Sequence, residues 1–186
     1  MRFATASFLL YNINMKKVIF LDVDGVLNSS RTLYEDISLE DDLILNLKEI
    51  VNKTGAKIIL SSSWRLSTEA VATLMDKLDK FGLVISGMTC DGVDLDWIER
   101  FEFNATKKYL DTRFDYDENK QIKITHDRGA EIFKWLSEHK EVESFVILDD
   151  EDFDIKNYFP DKLIKTNFKT GLTKEDVKKA IQILNE

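Results

Sequence analysis

The 186-residue sequence has little cysteine, proline and glycine, and each shortage excludes a class of protein. Its single cysteine, Cys90, cannot form an internal disulfide, which favours a reducing compartment. One proline and seven glycines are too few for a Pro/Gly/Ser-rich linker between domains. No apolar run reaches the roughly 18 residues that a membrane-spanning helix needs. We therefore expect a cytoplasmic protein that does not associate with membranes.

Basic residues are also in deficit. The chain has 26 Lys and Arg against 34 Asp and Glu, a formal net charge of -8. Because a negative surface repels nucleic-acid phosphates at long range, we expect no broad nonspecific binding to nucleic acid, although a local basic cleft is compatible with this charge. The apolar share of 44% is enough for a hydrophobic core, and the length fits one domain.

The first 14 residues, MRFATASFLLYNIN, are interpreted as an extension ahead of the domain. They lack the small-residue cleavage site of a signal peptide, and Met15 followed by two lysines resembles a natural start. We expect one domain over residues 15–186, with the extension either packed as an extra strand or trailing away. No function is assigned to the extension.

Short apolar runs alternate with segments that carry apolar residues at helical spacing. The runs predict strands at 18–21, 57–60, 83–86, 144–148 and 162–166, and the periodic segments predict helices at 41–54, 67–81 and 129–139 and from Thr173 onward. This alternation predicts an α/β fold, a Rossmann-like three-layer core with a parallel sheet and helices on both faces. In such sheets, ligands bind beyond the carboxyl ends of the strands.

Residues 88–127 interrupt the alternation. This long, aromatic and charged insert predicts a helix within 94–113 and a hairpin within 114–125. Long excursions at the edge of a sheet often act as lids over a site, and a helix packed on the side of the domain is the alternative. The insert should decide the substrate, and it contains no motif that names one.

Two aspartates directly follow the first predicted strand. In VIFLDVDGVLN, Asp22 and Asp24 come after the apolar run, and Gly25 allows a turn that directs both carboxylates into one crevice. Adjacent carboxylates are unfavourable unless a cation lies between them or one binds a proton. Mg²⁺ takes carboxylate and phosphate oxygens together, and an aspartate can act as a nucleophile that becomes an aspartyl phosphate. The pair therefore predicts magnesium and phosphate chemistry.

A second acidic pair, Asp149 and Asp150, ends the apolar run FVIL. Carboxylates at the end of another strand would lie at the same edge of the sheet and add to the metal ligands. Asp152 and Asp154 follow closely. Because a Mg²⁺ site usually takes few protein carboxylates, we interpret these two as solvated or as supporting residues.

Hydroxyl and basic side chains follow the second predicted strand. Ser61 lies at its end, where a hydroxyl can donate to a phosphoryl oxygen, with Ser62 and Ser63 as alternatives. Arg65 can bind a second phosphate or a carboxylate through its two-pronged guanidinium, or form a surface salt bridge. His126 either binds substrate or lies on the surface.

Together, the segments FLDVDGVLN, LSSSWR, RGAEIFKWL and ILDD resemble the motifs of the haloacid dehalogenase (HAD) superfamily, and in particular its subgroup associated with RNA-repair proteins. The resemblance covers roughly residues 16–186. It implies a phosphatase with Mg²⁺ as cofactor and an aspartyl-phosphate intermediate. A phosphorylated small molecule, a nucleotide or a nucleic-acid end is the implied substrate.

The resemblance also implies roles for the motif residues. Asp22 is the nucleophile, and Asp24 is the general acid and base, whose main-chain carbonyl also binds the metal. Asp149 ligates Mg²⁺, and Asp150 supports it or binds through water. Arg128 neutralises the nucleophile and the phosphoryl group.

Further residues complete the predicted site. Ser61 is expected to hold the phosphoryl group, and Gly25, Ser62 and Arg65 are assigned to substrate binding. Lys123 and Lys134 are alternatives to Arg128 as the cation that neutralises the nucleophile and the phosphoryl group. An Asp at position 24 favours phosphatase or phosphomutase chemistry over the related ATPases, which lack that acid.

Two other interpretations stay open. One is a polynucleotide end-phosphatase in which a basic lip around Arg100, Lys107, Lys108 and Arg113 contacts the nucleic acid. The other is a module that binds phosphate or a partner without catalysis, which would bind metal or ligand but show no turnover.

Overall fold

The computed structural model describes residues 15–32, 38–94, 114–117, 122–152 and 154–186. The strands are β1 (Lys17–Leu21), β2 (Lys57–Leu60), β3 (Ile85–Met88), β4 (Val93–Asp94), β5 (Phe114–Asp117), β6 (Ile122–Thr125), β7 (Ser144–Asp149) and β8 (Leu163–Lys165). The helices are α1 (Asp41–Thr54), α2 (Thr68–Asp79), α3 (Arg128–Glu138), α4 (Ile155–Tyr158) and α5 (Lys174–Asn185), and a short 3-10 helix covers Ser63–Leu66.

Five strands form a parallel sheet in the order β3-β2-β1-β7-β8. Successive side chains of the central strand β1 face two different hydrophobic cores. Ile19 and Leu21 face the core built with α1, α2 and α5, while Val18 and Phe20 face the core built with α3 and α4. All four are fully buried, as expected for a parallel strand covered on both faces. The predicted three-layer α/β core is confirmed.

The helix ends follow the signals in the sequence. The side chain of Ser67 accepts a hydrogen bond from the N–H of Ala70 and caps α2. Thr173 and Asp176 form a capping box at the start of α5. At the end of α1, Gly55 takes a φ of 71°, a left-handed conformation in which glycine is favoured.

The third strand lies two residues later than predicted. Leu83, the expected first residue, donates its N–H to the carbonyl of Leu78 and closes the end of α2. Its side chain is buried in the core, and the next residue, Val84, is 66% exposed. Because that N–H is used by the helix end, sheet pairing begins at Ile85.

A second, antiparallel sheet is formed by β4, β6 and β5, in that order. Pairing of β5 with β6 from Phe114 and Thr125 onward agrees with the hairpin predicted for this segment. Asp94 lies in β4 instead of in the predicted helix, and residues 95–113, the rest of that helix, lie outside the described residues. The residues of the predicted basic lip, Arg100, Lys107, Lys108 and Arg113, lie outside the described residues as well.

The N-terminal extension, residues 1–14, also lies outside the described residues, so the division into an extension and a domain stays a prediction. Within the ranges that the structure describes, no helix combines the length and hydropathy needed to cross a membrane.

Candidate active site

The residues after β1, β2 and β7 meet at one edge of the sheet. In its register, the last residue of β1 lies beside both the last residue of β2 and Leu148 of β7. Asp22, Ser61 and Asp149 are the next residues along these three strands. Asp22 and Asp149 line a cavity of about 430 Å³, which we name the acidic cavity. Its walls also include Asp24, Ser63, His126, Arg128, Asp150 and Phe168.

Arg128, the first residue of α3, bridges two buried aspartates. Its Nη1 lies 3.1 Å from Oδ1 of Asp22 and 2.7 Å from Oδ2 of Asp149. The side chains of Asp22 and Asp149 are 9% and 2% exposed, so water screens this contact little. Of the alternative cations, Lys134 lines a different cavity, and the side chain of Lys123 lies outside the described part. The fold therefore brings Arg128, the predicted neutralising cation, to the predicted nucleophile.

Burial dominates the acid–base properties of this group. It raises the pKa of Asp22, against the opposing charge of Arg128. Burial and the charge of Asp22 raise the pKa of Asp149 to about 7 and also raise the pKa of Asp150. Burial disfavours the charge of Arg128, yet Asp22 and Asp149 raise its pKa overall. One guanidinium therefore does not balance the three carboxylates, and the group favours a further cation.

The three carboxylates are close enough to share that cation. One oxygen from each of Asp22, Asp149 and Asp150 lies within 4.8 Å of the others. Hard divalent cations such as Mg²⁺ bind carboxylate oxygens, and a bound cation would relieve the repulsion that raises these pKa values. The donor set therefore fits the predicted metal ion. The carboxylate of Asp24 is not one of the three.

Gly25 allows Asp150 to approach the loop after β1. Its φ is 65°, and a Cβ at this position would lie 2.4 Å from Cγ of Asp150. The carbonyl of Gly25 accepts a hydrogen bond from the hydroxyl of Thr166 at 2.7 Å. Glycine is thus required for the turn and for the close approach. A contact between Gly25 and substrate stays a prediction.

The carboxylate of Asp24 is held by two side chains outside the metal group. The indole Nε1 of Trp64 donates to Oδ2 at 2.8 Å, and Nδ2 of Asn28 donates to Oδ1 at 2.8 Å. Asn28 also accepts a hydrogen bond from the N–H of Gly25 at 2.9 Å, which ties it to the same turn. Neither Trp64 nor Asn28 was predicted from the sequence as a partner of Asp24. For Trp64 no spacing rule connects positions 24 and 64, whereas Asn28, four residues from Asp24, lies within the quoted motif.

The three serines after β2 occupy different environments. Ser61 is buried, and its hydroxyl accepts a hydrogen bond from Thr89 at 3.5 Å. Ser62 is also buried, and its side chain opposes the rise in the pKa of Asp22. Ser63 lines the acidic cavity. Ser62 therefore favours the charged form of the predicted nucleophile, and the role of Ser61 in phosphate binding stays a prediction.

Arg65 lies in a buried ion pair. Its Nη2 is 2.7 Å from Oε2 of Glu131 in α3, and the two side chains are 8% and 2% exposed. The guanidinium also donates to the carbonyls of Ser62, at 2.7 Å, and Cys90, at 3.1 Å. Oε1 of Glu131 accepts the N–H of Gly92 at 2.9 Å. The pair thus joins the loop after β2 to α3. Substrate binding by Arg65 stays a prediction.

The remaining candidates differ in their distance from the site. His126 lines the acidic cavity, with Nδ1 3.0 Å from Oδ1 of Asp91. Asp154 lines the cavity as well. Asp152 pairs with Lys165 at 2.9 Å and is not among the described residues that line the cavity. Asp154 is therefore the better placed of the two acids that follow the Asp149 motif.

Comparison with protein families agrees with this geometry. A family model described as the HAD domain in Swiss Army Knife RNA repair proteins matches residues 18–177. Neither the comparison with curated proteins nor the comparison with solved structures found a match. HAD domains are generally hydrolases, typically with a metal ion. Since the match spans most of the chain and includes every residue assigned to the site, the protein belongs to the HAD superfamily, in the family of HAD domains found in Swiss Army Knife RNA repair proteins.

Proposed function

We propose that this protein is a Mg²⁺-dependent phosphomonoester hydrolase with Asp22 as its nucleophile. One observation carries the proposal. A buried carboxylate, Asp22, lies 3.1 Å from the guanidinium of Arg128 and shares that cation with Asp149. Metal binding by the aspartates and phosphate binding by Arg128 would place a phosphoryl group beside the Asp22 oxygen.

The binding roles follow from charge and hydrogen-bonding capacity. Arg128 carries five N–H donors, so it can contact phosphoryl oxygens while it faces Asp22. Asp22, Asp149 and Asp150 would hold Mg²⁺. When bound, the ion supplies positive charge that offsets the repulsion between the phosphoryl oxygens and the nucleophile. The Ser62 side chain, which favours the charged form of Asp22, helps to keep the carboxylate ionised for attack.

In the first half of the reaction, an Asp22 oxygen attacks phosphorus and the bond from phosphorus to the leaving oxygen breaks. An aspartyl phosphate forms on Asp22, and Asp24 gives a proton to the departing oxygen. In the second half, Asp24 accepts a proton from water while the water oxygen attacks phosphorus. The bond between phosphorus and Asp22 then breaks, and inorganic phosphate leaves. Trp64 and Asn28 hold the carboxylate of Asp24 outside the metal group, and this supports the division of roles between Asp22 and Asp24.

The test is phosphate release from a panel of phosphomonoesters, with Mg²⁺ and with a chelator. We expect Mg²⁺-dependent turnover by the wild type and a loss of about a thousandfold or more in Asp22→Asn, with circular dichroism showing a retained fold. Asp152→Asn removes a nearby carboxylate outside the cavity lining and is the matched control. Wild-type turnover by Asp22→Asn would exclude the covalent mechanism. No turnover with Mg²⁺ still bound would favour a phosphate-binding module.

A polynucleotide end is a second candidate substrate. The matched family is described as belonging to RNA repair proteins, and this favours a phosphate on a nucleic-acid end. Arg100, Lys107, Lys108 and Arg113 were predicted to contact the nucleic acid, and they lie outside the described residues. If they do so, short phosphorylated oligonucleotides should compete better than mononucleotides, and added salt should weaken that advantage. Equal competition at all salt concentrations would argue against a polynucleotide substrate.

A further inference from the structure

A second cavity adjoins the acidic cavity at Asp24. It has a volume of about 410 Å³, and we name it the Trp64 cavity. Asp24, Ser63 and Phe168 line both cavities. The acidic cavity contains Asp22, Arg128 and the metal-binding carboxylates, whereas the Trp64 cavity contains none of these. Asp24 therefore stands at the junction between the two cavities.

The Trp64 cavity combines aromatic rings with hydroxyl groups. Trp64 and Phe168 line it, together with the hydroxyl residues Ser29, Thr32, Ser63 and Ser67. Phe168 is 38% exposed, so part of its ring is open to a ligand. Hydroxyls both donate and accept, so those already bonded within the protein keep capacity for a ligand hydroxyl. Its size falls within the range of about 300–1000 Å³ that is usual for small-molecule sites.

Charge separates this cavity from the acidic one. Asp24 is the only ionisable side chain among the described residues that line it. A second phosphate in the Trp64 cavity would therefore meet no described cation and one carboxylate. The walls instead match a neutral group with hydroxyls and a flat ring.

We propose that the Trp64 cavity binds the leaving group of the reaction and that this group is a nucleoside, either free or at a polynucleotide end. The inference rests on the proposed function, because the leaving group is located by the acid that protonates it. With phosphorus beside Asp22 and the leaving oxygen beside Asp24, the rest of the leaving group extends past Asp24. The ribose hydroxyls then face the serine and threonine residues, and the base stacks on Phe168.

The first experiment compares leaving groups that share one phosphate. The panel contains methyl phosphate, adenosine and uridine monophosphates, and a 3′-phosphorylated oligonucleotide. We expect kcat/KM for the nucleoside monophosphates to exceed that for methyl phosphate by roughly tenfold or more. Turnover of the oligonucleotide, or of mononucleotides alone, upholds the proposal and identifies the source of the nucleoside. Equal kcat/KM for methyl phosphate and nucleoside monophosphates would overturn it.

The second experiment substitutes the stacking residue. Phe168→Ala should lower the ratio of kcat/KM for nucleoside monophosphates over methyl phosphate by roughly tenfold, since stacking on an aromatic side chain is lost. Phe168→Tyr keeps a ring and should restore the ratio. Leu66→Ala truncates a side chain that is 62% exposed and outside both cavities, so it is the matched control. A ratio that is unchanged in Phe168→Ala would contradict the proposal.

A binding measurement that needs no turnover tests the nucleoside site independently of the proposed hydrolysis. Adenosine or uridine is titrated calorimetrically into Asp22→Asn and into the double variant Asp22→Asn/Phe168→Ala. We expect binding to the first protein and at least about tenfold weaker binding to the second. Nucleoside binding in a protein whose wild type hydrolyses nothing would reject the hydrolase and keep the nucleoside site. Hydrolysis without nucleoside binding would do the reverse.

Discussion

The indole N–H of Trp64 donates to the carboxylate of Asp24 at 2.8 Å, across 40 positions of the sequence. Trp64 also packs against the hydrophobic core, so its ring is held independently of that bond. Asn28 holds the other oxygen of the same carboxylate. The proposed acid and base therefore has a fixed orientation before any substrate arrives.

Removal of this hydrogen bond should affect proton transfer more than binding. In Trp64→Phe we expect kcat to fall about tenfold or more for alkyl phosphates, whose leaving oxygen needs a proton, with little change in KM. Turnover of p-nitrophenyl phosphate should fall much less, because p-nitrophenolate leaves without protonation. Trp135→Phe makes the same chemical change on the other face of the sheet and is the control. An equal loss for both leaving groups would point to a merely structural role for Trp64.

Magnesium should stabilise the folded protein through Asp149. The metal-free site holds three close carboxylates against one guanidinium, so a cation that binds only the folded state stabilises it. At about a hundredfold excess over Kd, we expect Mg²⁺ to add about 2.7 kcal/mol and raise Tm by roughly 5–10 °C. Asp149→Asn should lose this shift in a thermal melt, whereas Asp152→Asn should keep it. A full shift in Asp149→Asn would remove Asp149 from the metal site.

The buried pair Arg65 and Glu131 should contribute to stability as a unit. Either Arg65→Met or Glu131→Gln leaves the other side chain buried without its ion-pair partner, so each should lower the free energy of unfolding by about 3 kcal/mol. The free energy of unfolding of the double variant should fall by clearly less than the sum of the two single losses, as measured by urea denaturation. If Arg65 also binds substrate, Arg65→Met should raise KM as well as lower stability. The two measurements therefore test the predicted binding role of Arg65 and its observed ion pair separately.

Two glycines with similar backbone conformation allow a matched comparison. Gly25 and Gly55 have φ values of 65° and 71°, but a Cβ would meet Asp150 at 2.4 Å in the first and nothing within 4 Å in the second. Gly55→Ala should lower the free energy of unfolding by about 1 kcal/mol, because alanine disfavours the left-handed backbone conformation. Gly25→Ala should cost about 2 kcal/mol more, because Asp150 must move. It should also weaken the Mg²⁺-induced rise in Tm, and equal behaviour of the two variants would argue against the close approach.

Much of the core was predictable from local patterns. The apolar runs that became β1, β2 and β7 are buried on both faces, and such strands have a simple sequence signature. The caps at Ser67 and Thr173 depend on a residue and its neighbours three positions away. The predicted start of β3 was wrong because the N–H of Leu83 hydrogen-bonds to the end of α2. The spacing of apolar residues does not reveal such a bond.

The sequence by itself determined which acids follow the central strands, and therefore which carboxylates meet at the edge of the sheet. Parallel strands that end together bring Asp22 and Asp149 into one cavity whatever surrounds them. Only the tertiary structure decided which side chains hold the other site residues. The indole that holds Asp24 and the glutamate that pairs with Arg65 come from distant positions in the sequence. Side-chain direction and burial select such partners, and both exist only after the helices pack on the sheet.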